Sequence, residues 1–246
     1  MVEIRVAAPA RTVAAALAEP WLLRESLAAS GVRLGRVAVD QFARGDEFTA
    51  TVVRVPLRLR VTRADERGLT VRLGRWTFEA TVTPDGDGAV LRCDVRGAQP
   101  LLTAVRARAE QLTTAPIVVG AAIVDQGTVL AAQRDRPPVA AGRWEFPGGK
   151  VERGEDERAA LARECREELA ADVVVGDRLG PDLVLPNGWL LRVYLARLSP
   201  GAEPVAGEHR ALRWVPADRL PGLDWLPPDR IVLPGLAAAL ALSPAR

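Results

Sequence analysis

The chain of 246 residues contains one lysine, one histidine and two cysteines. Cys93 and Cys165 lie far apart and lack metal-ligand spacing, which excludes a disulfide scaffold and a zinc site of the usual kind. With His209 as the sole histidine, any mechanism that needs several histidines is excluded. Charge of either sign is also not in excess: 33 basic residues stand against 31 acidic ones, a formal net charge of +2. Neither a nucleic-acid polymer nor a membrane surface is therefore an expected partner. No apolar run approaches the ~18–20 residues that span a bilayer, and the longest candidate, near residues 236–242, is too short. The opening Met1-Val2-Glu3-Ile4-Arg5-Val6 has no basic leader followed by an apolar stretch, so a cytoplasmic location is expected. Every cation except Lys150 is arginine, which singles out that one lysine for attention.

What is present is ordinary globular material, with 48% hydrophobic and 26% charged residues. The length is about twice the commonest domain size, so two domains are expected. The first opens on an alternating strand, followed by an Ala-rich helix through Leu17 and a second helix over 21–29. Strands are then expected over 32–39, 47–55, 57–64, 69–73, 76–83 and 89–95, separated by turns such as Pro84-Asp85-Gly86-Asp87-Gly88. An amphipathic helix over 100–112 closes this part. The order resembles the START-like helix-grip domains over residues 1–112, which implies a small apolar ligand between sheet and helix. A plain α+β domain with a filled core is the alternative.

A polar linker, Thr113-Thr114-Ala115-Pro116, precedes a second domain over 117–246. Residues 117–124 and 129–133 read as a strand pair about the turn Asp125-Gln126-Gly127. The informative stretch comes next: Gly148-Gly149-Lys150-Val151-Glu152-Arg153-Gly154-Glu155, then Arg163-Glu164-Cys165-Arg166-Glu167-Glu168-Leu169-Ala170-Ala171. The glycines bracket a loop whose backbone can approach a ligand closely. Asp156 and Glu157 suit the first turn of a helix. On that helix Glu164, Glu167 and Glu168 are spaced i, i+3, i+4, so one face carries three carboxylates. Such anions suit a hard divalent ion bound through oxygen, as Mg²⁺ is when it bridges to phosphates. A solvated, Arg-paired helix face is the alternative. Leu161, Cys165 and Leu169 form the neighbouring apolar stripe.

These residues resemble the Nudix box, over roughly residues 116–235. Five residues separate Gly149 from Glu155 and seven separate Glu155 from Arg163, as the box requires. Ala170 and Ala171 depart from its final Gly-aliphatic pair, a change that touches helix termination and not ligation. Leu130-Ala131-Ala132-Gln133-Arg134 and Trp144-Glu145-Phe146-Pro147-Gly148-Gly149-Lys150 further resemble the MutT subgroup. That resemblance implies a mixed-sheet α/β/α sandwich that releases pyrophosphate from nucleoside triphosphates. It implies Mg²⁺, with Mn²⁺ as the alternative ion, held by the Gly148 carbonyl, Glu164, Glu167 and Glu168. Glu155 is expected to orient Arg163, with Gly149 completing the box.

Catalytic roles are assigned to Glu164, Glu167 and Glu208, the general base being Glu208 or a box glutamate. Substrate contacts are assigned to Arg134, Phe146, Lys150 and Asp229. An ionised Asp229 only accepts hydrogen bonds, and helix N-capping is its second expected role. Of Trp144, Trp189, Trp214 and Trp225, one or more could stack on a base, Trp144 being the best candidate for the core. The expected substrate is 8-oxo-dGTP, with (d)CTP or a modified cytosine nucleotide as the alternative. A catalytically silent nucleotide sensor is the rival of another class.

Overall fold

The computed structural model describes residues 1–28, 32–35, 37, 39, 41–52, 55–95 and 97–241. Parts of the expected elements over 21–29, 32–39 and 47–55, and Leu242, lie outside the described residues. The chain divides into two compact units, Met1–Ala115 with Pro181–Trp189, and Pro116–Gly180 with Leu190–Arg246.

In the first unit a strand β1 (Val2–Val6) leads to α1 (Ala10–Leu17) and α2 (Pro20–Ala28). Six strands follow: β2 (Val32–Leu34), β3 (Glu47–Val52), β4 (Val55–Asp65), β5 (Gly68–Leu73), β6 (Trp76–Asp85) and β7 (Gly88–Cys93). The helix α3 (Gln99–Leu112) ends the series. The strands form one antiparallel sheet in the order β1-β7-β6-β5-β4-β3-β2. Alternation explains the burial: along β7 Ala89, Leu91 and Cys93 point inward and the residues between them outward. Leu102, Val105, Ala109 and Leu112 recur at helical spacing on α3 and are all buried. The sheet–helix layer, where the START-like resemblance implies a small apolar ligand and the alternative a filled core, is lined by such buried side chains.

Residues 181–189, which the sequence assigns to the second domain, pack with the first unit. Asp182 is buried there and accepts a hydrogen bond from the Thr12 hydroxyl at 2.7 Å. The Gln41 amide donates to the carbonyls of Ala15 and Asp182 and accepts from the Val184 N–H. Buried polar groups need partners, and these bonds supply them.

The second unit is built on β8 (Ile117–Asp125), a continuous apolar strand. It pairs antiparallel with β9 (Thr128–Gln133). On its other side it runs parallel to β12 (Leu190–Leu198). The sheet runs β10-β9-β8-β12-β11, where β10 is Trp144–Glu145 and β11 is Val173–Val184. A further strand, β13 (Ala211–Pro216), pairs with β9. Helix α4 (Glu157–Leu169) buries Leu161, Cys165 and Leu169 in a core shared with Val119, Ala121, Ile123 and Leu130. A 3-10 turn (Ala217–Gly222) precedes α5 (Pro227–Ala241).

Candidate active site

Backbone bonds fix the glycine loop to β8. Ala121 N–H donates to Pro147 O at 2.8 Å, Val119 N–H to Gly149 O at 2.8 Å and Val151 N–H to Ile117 O at 3.0 Å. Gly148 takes a φ of 147° and lies so close to the backbone of Val119 that a Cβ would collide with it. A Cβ on Gly149 would likewise occupy the space of the Glu164 carboxylate. Both glycines thus allow the loop to sit against β8 on one side and α4 on the other.

Asp156 caps α4 by accepting from the N–H groups of Arg158 and Ala159. At the other end Ala170 adopts the left-handed conformation, φ 50° and ψ 31°, in the place of the box glycine. Arg163 organises the exposed face between them. Its Nε and Nη2 donate to the two oxygens of Glu155, each at 3.0 Å. Its Nη1 donates to Glu164 at 3.0 Å and to Glu167 at 3.3 Å, and Nη2 also reaches the Lys150 carbonyl. Glu155 accepts in addition from the Glu152 N–H. These donors hold the Glu155 carboxyl below its ordinary range. Arg163 and Glu155 are thus joined by a two-bond ion pair.

The three box glutamates do not share one environment. Glu164 and Glu168 are largely buried, with side-chain exposures of 15% and 18%, whereas Glu167 is 58% exposed and turns to Arg163. Glu168 Oε2 accepts from the Gly148 N–H at 2.9 Å. Burial pushes its carboxyl up to about 7, against the pull of that N–H and of His209, and the nearby Glu145 and Glu164 charges add to the rise. Among the described residues no cluster of three or more His, Cys, Asp or Glu side chains is drawn together for a metal. The donor set beside the glycine loop is still all oxygen: Glu164, Glu168 and the loop backbone. That chemistry fits a hard divalent ion, and the side-chain-free Gly149 lets the loop come up against Glu164.

Beside this lies a second polar group. Arg134, at the end of β9, donates from Nη1 to Glu145 and from Nε to the Arg136 carbonyl at 2.6 Å. Glu145 also lies 3.6 Å from His209 Nε2, which in turn lies 3.9 Å from Glu168 Oε2. Sequence reasoning missed Glu145 and gave His209 no part in catalysis. The available signal was an acid set between Trp144 and Phe146, two buried aromatics on alternating positions.

Asp229 corrects two expectations. It is not a helix N-cap, since α5 begins at Pro227 and places it inside the first turn. Nor is it an acceptor alone. It is 3% exposed and accepts from the Phe146 N–H at 3.3 Å. Burial pushes its carboxyl up to about 8, with the charge of Glu145 adding to the rise and the Phe146 N–H and Arg134 opposing it. A carboxyl with that value is protonated at neutral pH and both donates and accepts. Phe146, expected at the substrate, is buried and packs against Trp225 in a tilted pair, with ring centroids 5.0 Å apart and planes at 38°. Trp144 and Trp225 are likewise buried, while Trp214 is exposed. Glu208 is exposed, and so is Lys150, whose carbonyl binds Arg163.

Over its second half the chain is similar to known proteins. The NUDIX domain family matches residues 114–236, half of the chain. A Mycobacterium tuberculosis protein named "Putative 8-oxo-dGTP diphosphatase 2" is 56% identical over 127 residues, covering 50% of this chain and 89% of the relative. The CTP pyrophosphohydrolase of Escherichia coli is 36% identical over 130 residues, 52% of this chain and 94% of that protein. The solution structure of the E. coli ORF135 protein is 34% identical, covers 53% of this chain and 94% of its own, and has a TM-score of 0.45. The chain belongs to the Nudix family, and it is a Nudix hydrolase.

Proposed function

We propose that the protein hydrolyses nucleoside triphosphates to the monophosphate and pyrophosphate, with 8-oxo-dGTP as its preferred substrate. The observation that carries this reading is the seating of Glu164 and Glu168 against the Gly148–Gly149 loop, beside the Arg134–Glu145 pair and Asp229. The first group is suited to a metal and a polyphosphate, the second to a nucleoside. The substrate named for the M. tuberculosis relative supports the choice of base.

Glu164, Glu168 and the Gly148 carbonyl would hold Mg²⁺, or Mn²⁺ in its place. When bound, the ion would supply offsetting charge for the polyphosphate and lower the pKa of the water. Water adds at the β-phosphorus, the bond to the bridging α–β oxygen breaks, and the monophosphate leaves as pyrophosphate is released. Glu167, exposed next to the two half-buried glutamates, takes the proton from the water. Arg163 keeps Glu164 and Glu167 in register with the loop. Arg134, tied to Glu145, presents a guanidinium to the phosphate or sugar edge. A protonated Asp229 can donate to the O6 of an oxidised guanine and accept from its N7–H.

The similarity to a CTP pyrophosphohydrolase favours a second reading, in which Asp229 accepts from the cytosine amino group. A panel of 8-oxo-dGTP, dGTP, dCTP and CTP with Mg²⁺, read as pyrophosphate released, separates the two. Fastest turnover of 8-oxo-dGTP supports the first reading and fastest turnover of a cytosine nucleotide the second. Binding without turnover would mark a nucleotide sensor and overturn both. For the first unit, the order strand, two helices, antiparallel strands and closing helix supports a START-like helix-grip assignment.

A further inference from the structure

The segment between β12 and β13 is pinned at three points. Val205 N–H donates to the Leu169 carbonyl at 2.8 Å, Gly207 N–H to the Glu168 carbonyl at 3.1 Å, and Arg210 N–H to the Gln133 carbonyl at 2.8 Å. Gly207 lies so close to the end of α4 that a Cβ would stand 2.7 Å from the Glu168 carbonyl oxygen. This clamping delivers one side chain, His209, between α4 and β10. Its side-chain exposure is 5%, and Nε2 faces both Glu145, at 3.6 Å, and Glu168, at 3.9 Å. The other ring nitrogen, Nδ1, is buried with no hydrogen-bond partner among the described residues.

An imidazole kept only for packing would be a poor choice there, since an apolar side chain would fill the space without leaving a buried nitrogen bare. Two carboxylates flanking one ring nitrogen instead call for a donor at that atom. Glu145 is already held on its other oxygen by Arg134, and Glu168 on the same oxygen by the Gly148 N–H. We propose that His209 is a positioning residue, whose Nε2–H sits between Glu145 and Glu168 and keeps the Glu168 carboxylate turned to the glycine loop. The chain Arg134–Glu145–His209–Glu168–Gly148 then joins the nucleotide-facing cation to the metal-facing acid. This inference rests on the assignment of Glu168 as a metal ligand. Partners of this kind typically change metal affinity about 10–100-fold when removed.

The single histidine makes the test direct, because ¹⁵N-imidazole labelling of the full chain gives one ring system. The proton is expected on Nε2, and both ring resonances are expected to move as Mg²⁺ is added. In parallel, Mn²⁺ affinity is measured by calorimetry for the wild type, His209→Leu and His209→Gln, with melting curves recorded for each. The Gln amide nitrogen reaches the place of Nε2, so Gln should hold Mn²⁺ nearly as the wild type does and Leu about tenfold or more weaker. If the Leu variant does not fold, His209→Asn takes its place, since its amide is too short to reach the carboxylates. A folded Leu or Asn variant with wild-type Mn²⁺ affinity, or ring signals unmoved by Mg²⁺, overturns the role of His209 alone. No Mn²⁺ binding by the wild type overturns the metal site itself and this proposal with it.

Discussion

Glu168 is held by the Gly148 N–H and lies 3.9 Å from His209 Nε2, so its direction is set by its neighbours. Replacing it by Gln keeps the shape and removes the charge. Glu168→Gln is expected to lose most of the pyrophosphate release at limiting Mg²⁺ while melting as the wild type does. Near-normal turnover would remove it from the ligand set. Asp229 gives a pH test. Its folded value of about 8 lies above the ordinary 3.8, so the folded state holds a proton that the unfolded state releases. The resulting stabilisation is complete below 3.8 and is lost as pH rises through about 8. Asp229→Asn is therefore expected to flatten the fall in stability over that window, as measured by denaturant titration at several pH values. Asp229→Ala, which leaves a base edge unpaired, is expected to lower kcat/KM for the preferred nucleotide by about tenfold to a hundredfold. An equal fall for all nucleotides would retire the base-reading role.

At the scale of the element, the spacing of the box fixed the helix well in advance: the residues from Asp156 to Leu169 cap, bury and end as their pattern requires. What spacing alone could not show was which carboxylates turn inward. All three glutamates share a face, but Arg163 draws Glu167 out to solvent, and rotamers are set by partners remote in sequence. The same reason hid Glu145, whose partners Arg134 and His209 lie on other segments, and the burial of Asp229, which depends on β10. Ala170 was legible as a departure at a left-handed cap, and its φ of 50° shows the cost being borne. A left-handed alanine is disfavoured by roughly 1 kcal/mol. Ala170→Gly is expected to raise stability by about 0.5–1 kcal/mol, a shift of about 2 °C in Tm, with activity unchanged. A lower melting point would show that Ala170 packs in a way the backbone argument omits.

Over the whole molecule, the composition shift near Thr113-Thr114-Ala115-Pro116 marked a boundary, but not the return of residues 181–189 to the first unit. Local pattern carries no sign of that, because Asp182 and Val184 find Thr12 and Gln41 through folding alone. A fragment of residues 116–246 is expected to keep the box chemistry and to lose amide protection over 181–189 in hydrogen exchange. A folded but inactive fragment would show that the first unit completes the site. The central claim concerns the reaction. It is tested most directly by incubating the full chain and Glu168→Gln with 8-oxo-dGTP and Mg²⁺ and identifying the products. The account predicts 8-oxo-dGMP and pyrophosphate in equal amounts from the wild type and almost none from the variant. Orthophosphate in place of pyrophosphate, or equal turnover by both proteins, would contradict it.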